Sequence, residues 1–152
     1  MLVGLFAVAL GAPDPSWSVS TTLGFPYFAH LDARYWWSPN WSAHLGGGVG
    51  YDFWLGVVSG GARWQPDALR HDVGAALSLR GGLGATAGVV LDRRVPVVLM
   101  VEPGLSLHFT GARGHGLLVA TRFGLGLTSD LGSGFSVEPT VNIGLLEVGY
   151  VF

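Results

Sequence analysis

The chain has 152 residues, 25 of them glycine, and only 12% of its side chains are charged. That length suits a single domain, and the charged fraction is about half the quarter that is usual in soluble domains. With eight arginines, no lysine and a formal net charge of −2 at pH 7, the sequence lacks the clustered basic patch that nucleic-acid binding requires. The absence of cysteine excludes disulfides and thiolate metal sites.

Residues 1–12 form a short apolar run that ends in small residues directly before Pro13. The run resembles the hydrophobic region and cleavage end of a secretory signal peptide, although no basic residue precedes Leu2. The alternative is an ordinary buried or frayed N-terminal segment. On the signal-peptide interpretation, residues 13–152 form the folded domain. No other stretch is apolar over the about 20 residues of a transmembrane helix, so a bilayer would be crossed by strands.

Alternation of apolar with small or polar residues predicts eight strands. They cover residues 16–25, 27–37, 41–51, 53–64, 73–91, 95–109, 117–128 and 135–152. Turn-forming residues separate them, including Pro26 and residues 38–40, and residues 65–72 form a polar connection. In the last strand the alternation slips by one position at Gly144 and Leu145, which predicts a β-bulge.

The charged residues within these strands share one face with glycine and serine. They are Asp32, Arg34, Arg63, Arg80, Glu102, Arg122, Glu138 and Glu147. An arginine or lysine at a lipid-facing midplane position costs about 2–4 kcal/mol, so a membrane barrel keeps charge off its outer face. A soluble barrel does the opposite. The pattern therefore predicts an all-β protein, an eight-stranded antiparallel up-and-down transmembrane β-barrel with its charges inside.

Aromatic residues cluster near strand ends on the apolar face. They are Trp17, Trp37, Trp41, Tyr51, Trp64, Phe109, Tyr150 and Phe152, among others. Transmembrane barrels carry such aromatics as two girdles at the membrane interfaces, and this set is predicted to form them. The alternative is a soluble sandwich with aromatics scattered through its core.

The chain ends with apolar residues at every second position, namely Leu146, Val148, Tyr150 and Phe152. With the strand number and the division of faces, this ending resembles the small outer-membrane barrels of the OmpA and OmpX type. The resemblance implies a location in the bacterial outer membrane, both termini in the periplasm, and residues 38–40 on the periplasmic side. It also implies two partners: outer-membrane lipid, and the outer-membrane assembly machinery acting through the C-terminal strand.

Eight strands leave an interior just wide enough for side chains. Four arginines and four carboxylates inside predict mutual pairing, because an unpaired buried charge is strongly disfavoured. We therefore expect a plugged, salt-bridged interior that binds no cofactor. His30, Asp32 and Arg34 share one strand face, but a metal site there would lack a third ligand and Arg34 would repel the cation, so no metal is expected.

Glu102, Ser106 and His108 supply the residue types of a hydrolase triad on one face. They point inward, and Ser106 and His108 are expected to lie too far apart for a direct hydrogen bond of about 3 Å. Catalysis is therefore not expected. The glycine runs 46–50 and 81–84 match no phosphate-binding loop, and they are interpreted as space for interior side chains.

The leading hypothesis is a structural, anchoring or envelope-interaction role. Short connections at both ends argue against adhesin or phage-receptor roles. The alternatives are a lipid-modifying outer-membrane enzyme, similar to the lipid A deacylases around His108, Phe109 and Thr110, or a barrel that binds a small hydrophobic ligand. A soluble ligand-binding barrel is the third alternative.

Overall fold

The computed structural model describes residues 16–25, 27–50, 56–91, 96–111, 115–130 and 136–152. In this part of the chain there are nine strands and one short 3₁₀ turn, Asp67–Leu69. The strands are β1 Ser16–Phe25, β2 Tyr27–Ser38, β3 Trp41–Gly50, β4 Gly56–Trp64, β5 Arg70–Val73, β6 Leu77–Leu91, β7 Val97–Thr110, β8 Gly116–Asp130 and β9 Ser136–Val151. No helix among the described residues is long and apolar enough to cross a membrane.

Eight of these strands close into an antiparallel barrel, which confirms the predicted all-β, eight-stranded up-and-down fold. Each barrel strand pairs with its neighbours in sequence, β1 pairs with β9, and β4 pairs with β6. The β4–β6 pairing runs from Gly56 opposite Leu91 to Trp64 opposite Leu83. Ser18 pairs with Val151, so the first and last strands bring both ends of the described chain to one mouth of the barrel, here called the terminal mouth.

The two faces of each strand differ as the sequence alternation predicts. Along β1, for example, Trp17, Val19 and Leu23 are exposed, whereas Ser18 and Ser20 are buried. The same phase holds in β4, where Val58 and Trp64 are exposed. Small inward residues let eight strands close around a narrow interior, and the larger apolar side chains must then point out.

The predicted bulge is confirmed in β9. Leu23 pairs with Leu146 and the next residue, Gly24, pairs with Gly144, so Leu145 is the extra residue. Both Leu145 and Leu146 are exposed. The bulge thus lets two adjacent leucines lie on the outer wall and returns Glu147 to the interior.

The predicted start of the fifth strand at residue 73 is wrong. Val73 ends the short strand β5, a turn follows over residues 74–76, and the long strand β6 begins at Leu77. Gly74 has a φ of 69°, a left-handed conformation that glycine adopts without steric cost. The hairpin β5–β6 therefore extends from the terminal mouth, with Arg70 directly opposite Arg80.

Several sequence predictions fall outside the described residues. These include the signal-peptide run of residues 1–12, the turn residue Pro26 and the girdle residue Tyr51. They remain predictions.

Candidate functional site

Arg122 lies at the centre of a buried ionic cluster inside the barrel. Its Nη2 donates hydrogen bonds to Asp32 Oδ2 at 2.8 Å and to Thr22 Oγ1 at 2.6 Å. Its Nε lies 3.3 Å from Glu147 Oε2, and its Nη1 lies 3.9 Å from Glu102 Oε2. One guanidinium on β8 therefore faces carboxylates from β2, β7 and β9, and it links strands on opposite sides of the interior.

Glu147 is held by a second arginine. Arg34 Nη2 donates to Glu147 Oε1 at 2.9 Å, and Ser20 Oγ donates to the same oxygen at 2.7 Å. Both Glu147 and Asp32 are 0% exposed. Charge-assisted hydrogen bonds of this length are among the stronger ones in proteins, and they offset part of the cost of removing the ions from water.

Glu102 is bound mainly by neutral donors. Thr86 Oγ1 donates to Glu102 Oε2 at 2.6 Å, and Asn142 Nδ2 donates to Oε1 at 3.2 Å. The threonine hydroxyl also lies 3.4 Å from His44 Nε2. On the neighbouring wall, His30 Nδ1 lies 3.2 Å from Asp32 Oδ2. The polar contacts thus continue around the interior from one strand to the next.

Six of the eight charged residues predicted to face inward are buried. They are Asp32, Arg34, Arg63, Glu102, Arg122 and Glu147, three of each sign. Arg80 is half-buried near the terminal mouth, and Glu138 is exposed near the other end of β9. The neutral balance of the buried set matches what a closed, water-poor interior requires.

The glycines beside the cluster give these side chains room. A Cβ built on Gly46 would come within 2.5 Å of Asp32 Oδ1 and within 2.5 Å of His30 Cε1. A Cβ on Gly104 would come within 2.5 Å of Arg63 Nη2. The interpretation of the 46–50 run as space for interior side chains therefore agrees with the geometry at Gly46.

Side chains fill the barrel above and below the cluster. Val57, Val98 and Met100 are buried on the side away from the termini, and Trp36 and Leu118 on the other. The cavity between His30, Glu102 and Arg122 holds only about 40 Å³, room for a few water molecules. The alternation in the sequence places Trp36, Val57 and Met100 on the inner face of their strands, as the structure does, but it assigns Val98 and Leu118 to neither face.

The expected distance between Ser106 and His108 was wrong. Ser106 Oγ and His108 Nε2 lie 3.1 Å apart, since the imidazole reaches back along β7. Gln65 Nε2 also donates to Ser106 Oγ at 2.8 Å, and Ser106 is only 3% exposed. Glu102 belongs to the central cluster instead of completing a triad. The serine is therefore a buried hydroxyl held by Gln65 and His108.

His30, Asp32 and Arg34 are the residues considered above as a metal site. Among the described residues, no group of three or more histidine or acidic side chains could hold a metal ion. Asp32 instead pairs with Arg122 and His30. In the described part of the chain, the buried carboxylates and arginines of the interior form ion pairs with each other.

Among the described residues, the predicted aromatic side chains are exposed on the outer wall at strand ends. Around the terminal mouth, Trp37 stacks on Trp41 with ring centroids 6.3 Å apart, and Trp41 stacks on Trp64 at 6.2 Å. Tyr150 meets Phe152 edge-on at 5.1 Å. These rings form an exposed aromatic band on the same mouth as the termini.

Comparison with known proteins gives no relative. No protein-family model matches the chain, and neither a curated protein nor a solved structure matches it significantly.

Proposed function

We propose that the chain is a small outer-membrane β-barrel protein with a structural or anchoring role in a bacterial envelope. The observation that carries this proposal is the reversed distribution of polarity. Leucines such as Leu45, Leu105 and Leu125 are more than half exposed, while Asp32 and Glu147 are completely buried. In water the outer wall would expose far more continuous apolar surface than soluble proteins tolerate.

A bilayer accounts for this distribution energetically. Full transfer of one leucine side chain from water to hydrocarbon contributes roughly 1.5–3 kcal/mol. The outward leucines of all eight strands add to this stabilisation. The closed sheet satisfies the backbone groups within the wall, as the hydrocarbon core demands. The aromatic band of Trp37, Trp41 and Trp64 then suits the headgroup region.

The packed interior supports an anchoring role over a transport role. Arg122 and its carboxylate partners cross the middle of the barrel, and Leu118 and Trp36 close the side toward the termini. The buried Ser106 gives no support to a lipid-modifying enzyme. The proposed partners are outer-membrane lipid along the whole wall and the assembly machinery at the C-terminal strand.

Cell fractionation combined with a heat-modifiability gel tests the proposal. The protein, expressed in a Gram-negative host, is expected in the outer-membrane fraction, and its gel mobility in detergent should change on boiling. Recovery in the soluble periplasmic or cytoplasmic fraction would refute the membrane assignment. Unchanged mobility on boiling would contradict a stable closed barrel.

A further inference from the structure

A second polar region lies apart from the central cluster, in the terminal mouth. Here a concavity of about 290 Å³ lies between the arginines of the β5–β6 hairpin and the start of β1 and end of β2. Its lining includes Arg70, Arg80, His108 and Trp36. A neighbouring concavity of about 260 Å³ shares both arginines and adds Asp72 and Ser78. The two adjacent concavities are here called the mouth pocket.

The two arginines of the mouth pocket face each other across paired strands. Arg70 on β5 is the direct cross-strand partner of Arg80 on β6, so both side chains lie on the same face of the hairpin. Like charges in this arrangement repel each other and destabilise the pairing. The four residues of β5 form few backbone hydrogen bonds that could offset this repulsion. A negatively charged group near the two arginines would offset it.

The carboxylates nearby only partly balance it. Arg70 Nε donates to Asp72 Oδ1 at 2.9 Å, and this hydrogen bond lowers the pKa of Asp72 and keeps it ionised. Asp67 accepts a 3.0 Å hydrogen bond from Asn40. Among the described residues no carboxylate lies within salt-bridge distance of Arg80.

Arg80 is nevertheless held in place by neutral groups. Its Nε donates to Ser78 Oγ at 3.3 Å, and its Nη1 donates to the carbonyl oxygen of Pro39 at 3.1 Å. These two contacts orient the guanidinium without neutralising it. A positioned guanidinium beside a second arginine is a common arrangement for binding phosphate or carboxylate oxygens.

We propose that the mouth pocket binds an oxyanion, a phosphate or carboxylate group of a small ligand, between Arg70 and Arg80. The anion removes the repulsion between the two arginines and bonds to the donors that Ser78 and the Pro39 carbonyl leave free on Arg80. His108 and Trp36 contact the rest of the ligand. The site lies outside the central cluster and is independent of the structural role proposed above.

Titration of the purified barrel in neutral detergent tests this inference. Inorganic phosphate and succinate serve as separate probes, and the reporter is the NMR signal of the arginine side-chain NεH groups. At least one probe is expected to shift the Arg80 signal in a saturable way. The more effective probe identifies the group as phosphate or carboxylate. No saturable shift with either probe in the wild-type protein would overturn the proposal.

Three variants complete the test. Arg80→Gln and Arg70→Gln should each weaken binding about tenfold or more. His71→Gln serves as the matched control, because His71 is exposed on the opposite face of the same strand, paired with Leu79, and it should bind as the wild type does. Unchanged affinity in Arg80→Gln, or an equal loss in His71→Gln, would contradict the assigned site.

Discussion

Among single residues, Arg122 connects the most distant parts of the barrel interior through its hydrogen bonds and ion pairs. It bonds to Asp32 and Thr22 and is paired with Glu147, so its removal leaves two fully buried carboxylates short of a cation. Breaking a buried ion pair from one side costs about 3–5 kcal/mol. Arg122→Leu is therefore expected to lower the free energy of unfolding by that amount, measured by urea titration in lipid vesicles.

The control for this prediction is Arg70→Gln. Arg70 pairs with Asp72 outside the barrel, where both side chains are exposed, and exposed ion pairs contribute little. Its free energy of unfolding should differ from that of the wild type by no more than about 1 kcal/mol, because relief of the repulsion from Arg80 offsets the loss of the exposed pair with Asp72. Equal stability of Arg122→Leu and the wild type would show that the central ionic cluster does not hold the interior together.

Single residues also show how far sequence reasoning reaches. Alternation alone assigned Arg34, Arg122 and Glu147 to the inner face, because a strand's side chains have a strict period of two. Alternation could not predict which of these residues form ion pairs, because Arg34 and Glu147 are 113 residues apart in the sequence. It also misjudged Ser106 and His108, whose 3.1 Å contact depends on a side-chain rotamer that no spacing rule contains.

At the scale of the element, β7 offers a direct test of the outer face. Leu105 lies near the middle of this strand and is 55% exposed. Leu105→Arg should destabilise folding into lipid vesicles by about 2–4 kcal/mol, whereas Leu117→Arg near the terminal mouth should cost about 0–1 kcal/mol. Urea titration in vesicles measures both. A neutral or favourable effect of Leu105→Arg would indicate that this face contacts water.

The last strand carries a prediction about assembly. Phe152 donates its backbone NH to the Trp17 carbonyl at 2.7 Å, and its ring is exposed. Since Phe152→Ala keeps the backbone bond, spontaneous folding in detergent should be unchanged. Its amount in the outer membrane of cells should fall several-fold. Phe109→Ala, another exposed aromatic near the same mouth, is the control, and an equal loss in both variants would contradict the proposed recognition of the last strand by the assembly machinery.

The β5 hairpin shows where element prediction fails. Its four residues are too few to display an alternating pattern, so the sequence predicts a polar connection over residues 65–72. The sequence also places Gly74 inside the long strand that follows, whereas its positive φ puts it in the turn before that strand. By contrast, the β-bulge at Leu145 could be predicted from the sequence, because the long alternating stretches on both sides show which residues face outward before and after it.

For the molecule as a whole, the filled interior predicts that the barrel has no large ion conductance. The cavity beside Arg122 has a volume of only about 40 Å³, and Leu118 is 0% exposed. Planar bilayer recordings should therefore show no stable channel of large conductance. Long-lived, uniform openings of the purified wild-type protein would contradict the packed arrangement around Arg122.

Spin-label accessibility measures whether hydrocarbon surrounds the outer wall of the barrel. Because the chain has no native cysteine, single labels can be placed at Val19, Thr21, Leu105 and Leu125, all on the exposed face. In vesicles, we expect collisions with oxygen to dominate over collisions with a water-soluble nickel complex at all four positions. Dominant nickel collisions at these positions would contradict it.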